Sequence, residues 1–119
     1  MRLLIAEDER ELARALKTIF EKHNYGVDVV YDGQEALDYA LSGEYDGAVL
    51  DVMMPKMNGY KISRLLKYDA KYKDIPILMV TARSQDEDKL IGQETGVNEY
   101  ITKPFELDDV INKVGEYLG

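Results

Sequence analysis

The sequence predicts an α/β fold, a doubly wound (βα)5 arrangement with a five-stranded parallel sheet and helices on both faces. Three observations carry this. Short, near-continuous apolar runs recur along the 119 residues, as suits strands buried on both sides. The segments between them place apolar residues at helical spacing. The two kinds of segment alternate strictly, and right-handed crossovers then build an open parallel sheet.

Leu3-Leu4-Ile5-Ala6 is the first strand, followed by a helical stripe of Leu12, Leu16, Ile19 and Phe20. Val27-Asp28-Val29-Val30 is the second strand. Its helix carries Ala36, Leu37, Ala40 and Leu41 and stops at Ser42-Gly43. Ala48-Val49-Leu50 is the third strand, and Ile62, Leu65 and Leu66 mark the third helix. Ile77-Leu78-Met79-Val80 is the fourth and clearest strand. The fourth helix, around Asp86–Thr95, has only Leu90 and Ile91 as apolar anchors. Gly92 weakens it by roughly 1 kcal/mol relative to Ala, so loose packing is expected there. Tyr100-Ile101 is a short fifth strand. The last helix has the strongest stripe: Leu107, Val110, Ile111, Val114 and Leu118. Asp8-x-x-Glu11, Asp32-x-x-Glu35 and Ser84-x-x-Glu87 have the form of helix-start caps. Of the common strand orders, the flavodoxin-like 2-1-3-4-5 suits five strands.

The length fits one domain, residues 1–119, and 45% hydrophobic residues suffice for a core. Twenty-three acids against 15 bases give a net charge of −8, which argues against nucleic acid as a direct partner. There are no cysteines, hence no disulfide and no thiolate metal site. No apolar run approaches the ~18 residues a membrane span needs. The start, "MRLLIAEDE", is too short for a signal peptide, and a cytoplasmic location is expected.

In such sheets, ligands sit beyond the carboxyl ends of the strands, where the strand order reverses. There the sequence places Glu7-Asp8, Asp51, Thr81-Ala82 and Thr102-Lys103-Pro104. A carboxylate closing the apolar run Gly47–Leu50 needs a partner, because a buried charge costs several kcal/mol otherwise. Strands 1 and 3 are neighbours in this order, so Glu7, Asp8 and Asp51 should converge. Two carboxylates ~5 Å apart repel by roughly 3 kcal/mol at an effective dielectric of ~20. A hard divalent cation relieves that crowding, and Mg²⁺ suits one or two carboxylates with water and a phosphoryl oxygen. Lys103 adds an ammonium and Thr81 a hydroxyl. This equipment stabilises a phosphoryl group in transfer, with Asp51 as the nucleophile.

These residues resemble the two-component response-regulator receiver family over the whole chain. The matching pieces are Glu7-Asp8, "LDVMMPKMNG" around Asp51, "VTA" at Val80–Ala82 and "YITKPF" at Tyr100–Phe105. The resemblance implies that Asp8, Asp51 and the Met53 main-chain carbonyl bind Mg²⁺, with Mn²⁺ as a substitute. Glu7 would join directly or through water; Glu stands where the family more commonly has Asp. It further implies that Asp51 takes phosphate from a sensor histidine kinase. Thr81, Ala82 and Lys103 would surround the phosphoryl group, and Lys103–Pro104 would be cis. Thr81 and Tyr100 fall at the family's switch positions. The surface of the fourth helix, fifth strand and last helix would then be the output surface. Lys89, Glu99, Asp109 and Lys113 fall where the winged-helix transcription-factor branch pairs charges across a homodimer formed on phosphorylation. Asn98 stands where that branch often has an acid.

Taken singly, each residue has a plainer reading. Asp8 could cap the first helix, Glu7 could be a solvated loop acid, and Asp51 an idle loop carboxylate. Thr81 could sit at the core edge and Lys103 on the surface. Their convergence on one crevice favours the site. Other features keep the plain reading. His23 ends the first helix, where a cation is favourable. Lys56, Lys61, Arg64, Lys67, Lys71 and Lys73 read as a solvated basic face. Met53, Met54 and Met57 read as gap fillers.

Three rival functions compete with this reading, the first on the same topology. A flavin-binding flavodoxin-like protein needs a small-residue phosphate loop after strand 1, whereas this loop is Glu7-Asp8-Glu9. An Asp-nucleophile phosphatase commonly has a second Asp two residues on, where this chain has Met53. A non-phosphorylated receiver scaffold would not need an intact acidic set. The reading favoured is a regulatory phosphoacceptor that catalyses only its own phosphorylation and dephosphorylation, and is not an enzyme on external substrates.

Overall fold

The computed structural model describes residues 1–82 and 96–118. The predicted fourth helix, its Ser84-x-x-Glu87 cap and Lys89 lie outside the described residues. The elements are β1 (Arg2–Ala6), α1 (Arg10–Lys22), β2 (Gly26–Val30), α2 (Gly33–Ser42), β3 (Gly47–Asp51), α3 (Gly59–Lys67), β4 (Ile77–Thr81), β5 (Glu99–Thr102) and the last helix, α4 (Leu107–Leu118). All strands are parallel, in the predicted order β2-β1-β3-β4-β5. Each strand extends one residue beyond its apolar run at one or both ends, because backbone pairing continues past the last apolar side chain.

Strand alternation divides the core in two. Leu4, Ala6, Ala48, Leu50, Ile77 and Met79 face α2 and α3. Leu3, Ile5, Val49, Leu78, Val80 and Ile101 face α1 and α4, meeting Leu16, Phe20, Val110 and Val114. Side chains two apart share a face, so each strand feeds both cores.

Two leucines of the predicted stripes are exposed. Leu41 is 53% and Leu65 40% exposed. A helix turns ~100° per residue. α2 buries the small Gly33, Ala36 and Ala40, and α3 buries Gly59, Ile62, Ser63 and Leu66. Leu41 and Leu65 fall on the flanks of those stripes.

The cap signatures fare unevenly. Asp32 caps α2: the Glu35 amide donates to its Oδ1 at 2.8 Å, and the Tyr31 amide donates to Glu35 Oε1 at 3.1 Å. The Asp8 signature does not cap α1. Glu9 is the N-cap residue, without a side-chain cap bond, and its carbonyl accepts from the Ala13 amide at 2.9 Å. Asp8 therefore precedes the helix. α3 is capped instead by Asn58, whose Oδ1 accepts from the Lys61 amide at 3.0 Å. His23 is the C-cap of α1, with Nδ1 2.9 Å from the Ile19 carbonyl oxygen.

The basic set is not a uniformly solvated face. Lys67 is half-buried and its Nζ donates to the Ile75 carbonyl at 2.7 Å. Burial pulls its pKa below the ordinary value, against the opposing charge of Asp74. Lys71 Nζ donates to the Gly43 carbonyl at 2.6 Å and the Leu41 carbonyl at 3.3 Å. The buried Tyr72 hydroxyl donates to the carbonyls of Gly43 (2.9 Å) and Ala40. These donors satisfy the carbonyls that the end of α2 leaves without helical partners.

At the other edge of the sheet, Asp28 accepts from the Tyr45 hydroxyl at 2.7 Å and from Arg2 Nη2 at 2.6 Å. The Tyr45 bond, then Arg2, holds the Asp28 carboxyl below its ordinary pKa against the opposing effect of burial. A depressed folded-state pKa contributes stability above the unfolded value, lost as pH falls through the folded one. Tyr45→Phe is thus expected to cost about 1 kcal/mol at neutral pH. The deficit should shrink below about pH 4, where unfolded Asp protonates. Paired thermal melts across that range check it; a deficit constant with pH would disprove the assignment.

Candidate functional site

The alternation that builds the α1/α4 core also builds the site. Glu7 continues the face of Leu3 and Ile5 one step past β1, and its amide donates to the Val30 carbonyl at 3.0 Å. Asp51 ends β3 on the face of Val49. Lys103 follows β5 on the face of Ile101, and its amide donates to the Thr81 carbonyl at 2.8 Å. Three odd-numbered positions thus turn the same way at the carboxyl edge. Lys103 Nζ lies 2.9 Å from Glu7 Oε1 and 3.0 Å from Asp51 Oδ2.

Both carboxylates are buried, Asp51 5% and Glu7 2% exposed. Asp8 is exposed, yet one carboxylate oxygen each from Glu7, Asp8 and Asp51 lie within 4.8 Å of one another. Backbone amides steady the anions: Met53 N–H donates to Asp51 Oδ1 at 3.1 Å, and Glu9 N–H to Glu7 Oε2 at 3.1 Å. Burial, with a hydrogen bond to Asp51, pushes the Glu7 carboxyl up to about 7. Burial alone would lower the Lys103 ammonium, but its bonds to Glu7 and Asp51 leave it above its ordinary pKa. One ammonium serves two buried acids, and a third acid stands beside them. This all-oxygen set suits a hard divalent cation.

Gly59 fixes where Asp51 sits. A Cβ at Gly59 would stand 2.5 Å from the Asp51 carbonyl oxygen and 2.8 Å from Met79 Sδ. The Gly59 amide donates to the Val52 carbonyl at 3.1 Å. α3 therefore begins pressed against the backbone of the acidic residue. The Asn58-Gly59 pair carried that signal in the sequence, a cap followed by a residue without a side chain.

The remaining nominated residues lie around this cluster. Thr81 is buried at the end of β4, and alternation puts it with Ile77 and Met79 on the α2/α3 side. Tyr100 is half-buried, packs on that same core, and pairs in register with Met79. So Thr81 and Tyr100 share one face of the sheet, while Asp51 and Lys103 share the other. Ala82 is exposed beside Thr81. The Met53 side chain is 70% exposed, which corrects its reading as a gap filler. The Lys103–Pro104 bond is cis. Glu99 and Lys113 pair within the chain at 3.7 Å, and Asp109 is exposed on α4.

A family model described as the response regulator receiver domain matches residues 3–115. The chain belongs to the response-regulator receiver family. Curated relatives of this receiver include the transcriptional regulatory protein DltR of Streptococcus agalactiae, 39% identical over 96% of this chain and 50% of its own length. The response regulator ArlR of Staphylococcus aureus is 41% identical over 98% of this chain and 52% of its own. The receiver thus spans about half the length of the curated relatives it matches. Among solved structures, the receiver domain of the Francisella response regulator 1452 superposes with a TM-score of 0.89 at 32% identity, covering 98% of this chain and 95% of that one. The chemotaxis response regulator CheY4 of Vibrio cholerae gives 0.94 at 27% identity, covering 98% of both chains. Among the described residues, no helix is long and apolar enough to cross a membrane.

Proposed function

We propose that this receiver is a phosphorylation-dependent signalling switch. Asp51 accepts a phosphoryl group from a sensor histidine kinase in a Mg²⁺-dependent reaction. The carrying observation is the buried Asp51 carboxylate, bonded to Lys103 and crowded by Glu7 and Asp8. Crowded anions favour a cation, and Asp8, Asp51 and the Met53 carbonyl would hold Mg²⁺ or Mn²⁺, with Glu7 directly or through water. Bound there, the cation supplies charge neutralisation for the phosphoryl oxygens.

An Asp51 carboxylate oxygen attacks phosphorus, the bond from phosphorus to the donor breaks, and its electron pair leaves with the donor. Lys103, already on Asp51 Oδ2, follows the phosphoryl oxygens as charge develops, and the Thr81 hydroxyl and Ala82 amide complete their surroundings. The chain catalyses only its own phosphorylation and dephosphorylation. Thr81 drawn toward the phosphoryl group opens space for Tyr100, which packs on the same face. The surface of the fourth predicted helix, β5 and α4 then changes to control an output domain or partner. Homodimerisation on phosphorylation and a cytoplasmic location complete the reading, with no direct nucleic-acid contact by this domain.

Incubation with acetyl phosphate and Mg²⁺ is expected to add one phosphoryl group by intact mass. Asp51→Asn should abolish it while keeping the far-ultraviolet spectrum, and scattering of the same samples should show a doubled mass for the phosphorylated parent alone. Labelling of Asp51→Asn at the parent's extent would sink the proposal.

A further inference from the structure

We infer that the N-terminus of α2 positions the loop carrying Met53, and so sets the divalent-cation affinity of the acidic site. This rests on the function proposed above and names residues outside the acidic cluster.

The loop between β3 and α3 runs from Val52 to Asn58. Its first part is tied to the acid, through the Met53 amide on Asp51 Oδ1. Its middle is tied to α2. The Gly33 amide, in the first turn of the helix, donates to the Pro55 carbonyl at 3.1 Å. The Met57 amide donates to the same carbonyl at 2.8 Å, folding the loop tightly around Lys56. Lys56 takes a left-handed φ of 70°, uncommon for a residue with a side chain. Its Nζ lies 3.5 Å from Asp32 Oδ2, on the carboxylate that caps α2.

Gly33 is what lets the two segments meet. A Cβ there would overlap the Met57 carbonyl group, which is backbone and cannot swing aside. The helix end is itself fixed, by the Tyr31 amide on Glu35 Oε1 and by Arg10 stacked 3.9 Å over the Tyr31 ring. A loop held at Pro55, two residues beyond Met53, has little freedom to reorient the Met53 carbonyl. A cation ligand that is already aimed costs less ordering on binding, and partners outside the first coordination sphere alter metal affinity measurably.

The coupling must be reciprocal. If the Gly33–Pro55 contact favours the cation, the cation must strengthen the contact. A contact needed only for folding predicts neither effect.

The test titrates the parent and Gly33→Ala with Mg²⁺ alone, following backbone amide shifts. Gly33→Ala is expected to bind about tenfold more weakly, with its core amide pattern retained. Parent-like affinity in a folded Gly33→Ala overturns the inference. If that variant does not fold, amide exchange in the parent decides. Mg²⁺ should slow exchange at Gly33, and an unchanged rate with the cation bound overturns the inference. Absence of Mg²⁺ uptake by the parent would instead overturn the proposed function and this inference with it.

Discussion

Lys103→Ala is expected to melt well below the parent in chelator, and to recover most of that loss when Mg²⁺ is added. Lys103 Nζ is the cation on both Glu7 and Asp51, whose carboxylates are buried. Removing one partner of a buried pair commonly costs 3–5 kcal/mol, since the other charge stays buried without compensation. The ammonium is a quarter exposed, so water enters after truncation and the cost falls to about 2 kcal/mol. For a domain of this size that is roughly 5–10 °C in Tm. A divalent cation among the same oxygens supplies positive charge in place of the ammonium, so the variant should gain more from Mg²⁺ than the parent does. Melts of both proteins in chelator and in Mg²⁺ measure the difference. Identical melting in chelator would show that Lys103 does not offset the two acids. The variant should still bind the cation but fail to pass the phosphorylated state to Tyr100.

Gly59→Ala is the second large effect. The added methyl would meet the Asp51 carbonyl oxygen at 2.5 Å and Met79 Sδ at 2.8 Å. The sulfur can move, but the carbonyl belongs to the end of β3, whose neighbours β1 and β4 hold it on both sides. The clash is relieved only by moving the start of α3 or the backbone that carries the Asp51 carboxylate. Overpacking of this kind costs about 1–3 kcal/mol. Because the relief passes through Asp51, acetyl phosphate labelling should fall along with stability. Urea unfolding and labelling of the same preparation check both. Full labelling in a destabilised protein would mean that α3 alone gives way.

The sheet was legible because its signals are local. Each apolar run is a strand, alternation with helices and crossover handedness give an open parallel sheet, and 2-1-3-4-5 is a common order that suits five strands. The acids at the strand ends were legible for the same reason: Asp51 closes an apolar run, and a charge in that place demands a partner. What stayed hidden depends on distant contacts. Asp8 has the spacing of a cap, but Glu9 is the N-cap instead and the helix begins at Arg10, which the four-residue signature cannot announce. Leu41 and Leu65 match the apolar period, yet Gly33, Ala36 and Ala40 on α2, and Gly59, Ile62, Ser63 and Leu66 on α3, define the buried stripes. Lys67 and Lys71 look like surface charge until the carbonyls of Ile75 and Gly43 are seen beside them. The confinement of Thr81 and Tyr100 to the face opposite Asp51 depends on register, with Val80 beside Asp51 and Tyr100 beside Met79, which the numbering alone does not supply.

The capping of α2 at both ends has a mechanical consequence. Gly33 and Asp32 fasten its start to the loop after β3, while Lys71 and Tyr72 fasten its finish to the chain after α3. A rod anchored this way, with Gly33, Ala36 and Ala40 buried along one side, cannot slide or turn without breaking one set of attachments. α2 is therefore a strut joining the acidic rim of the domain to the rim on the far side.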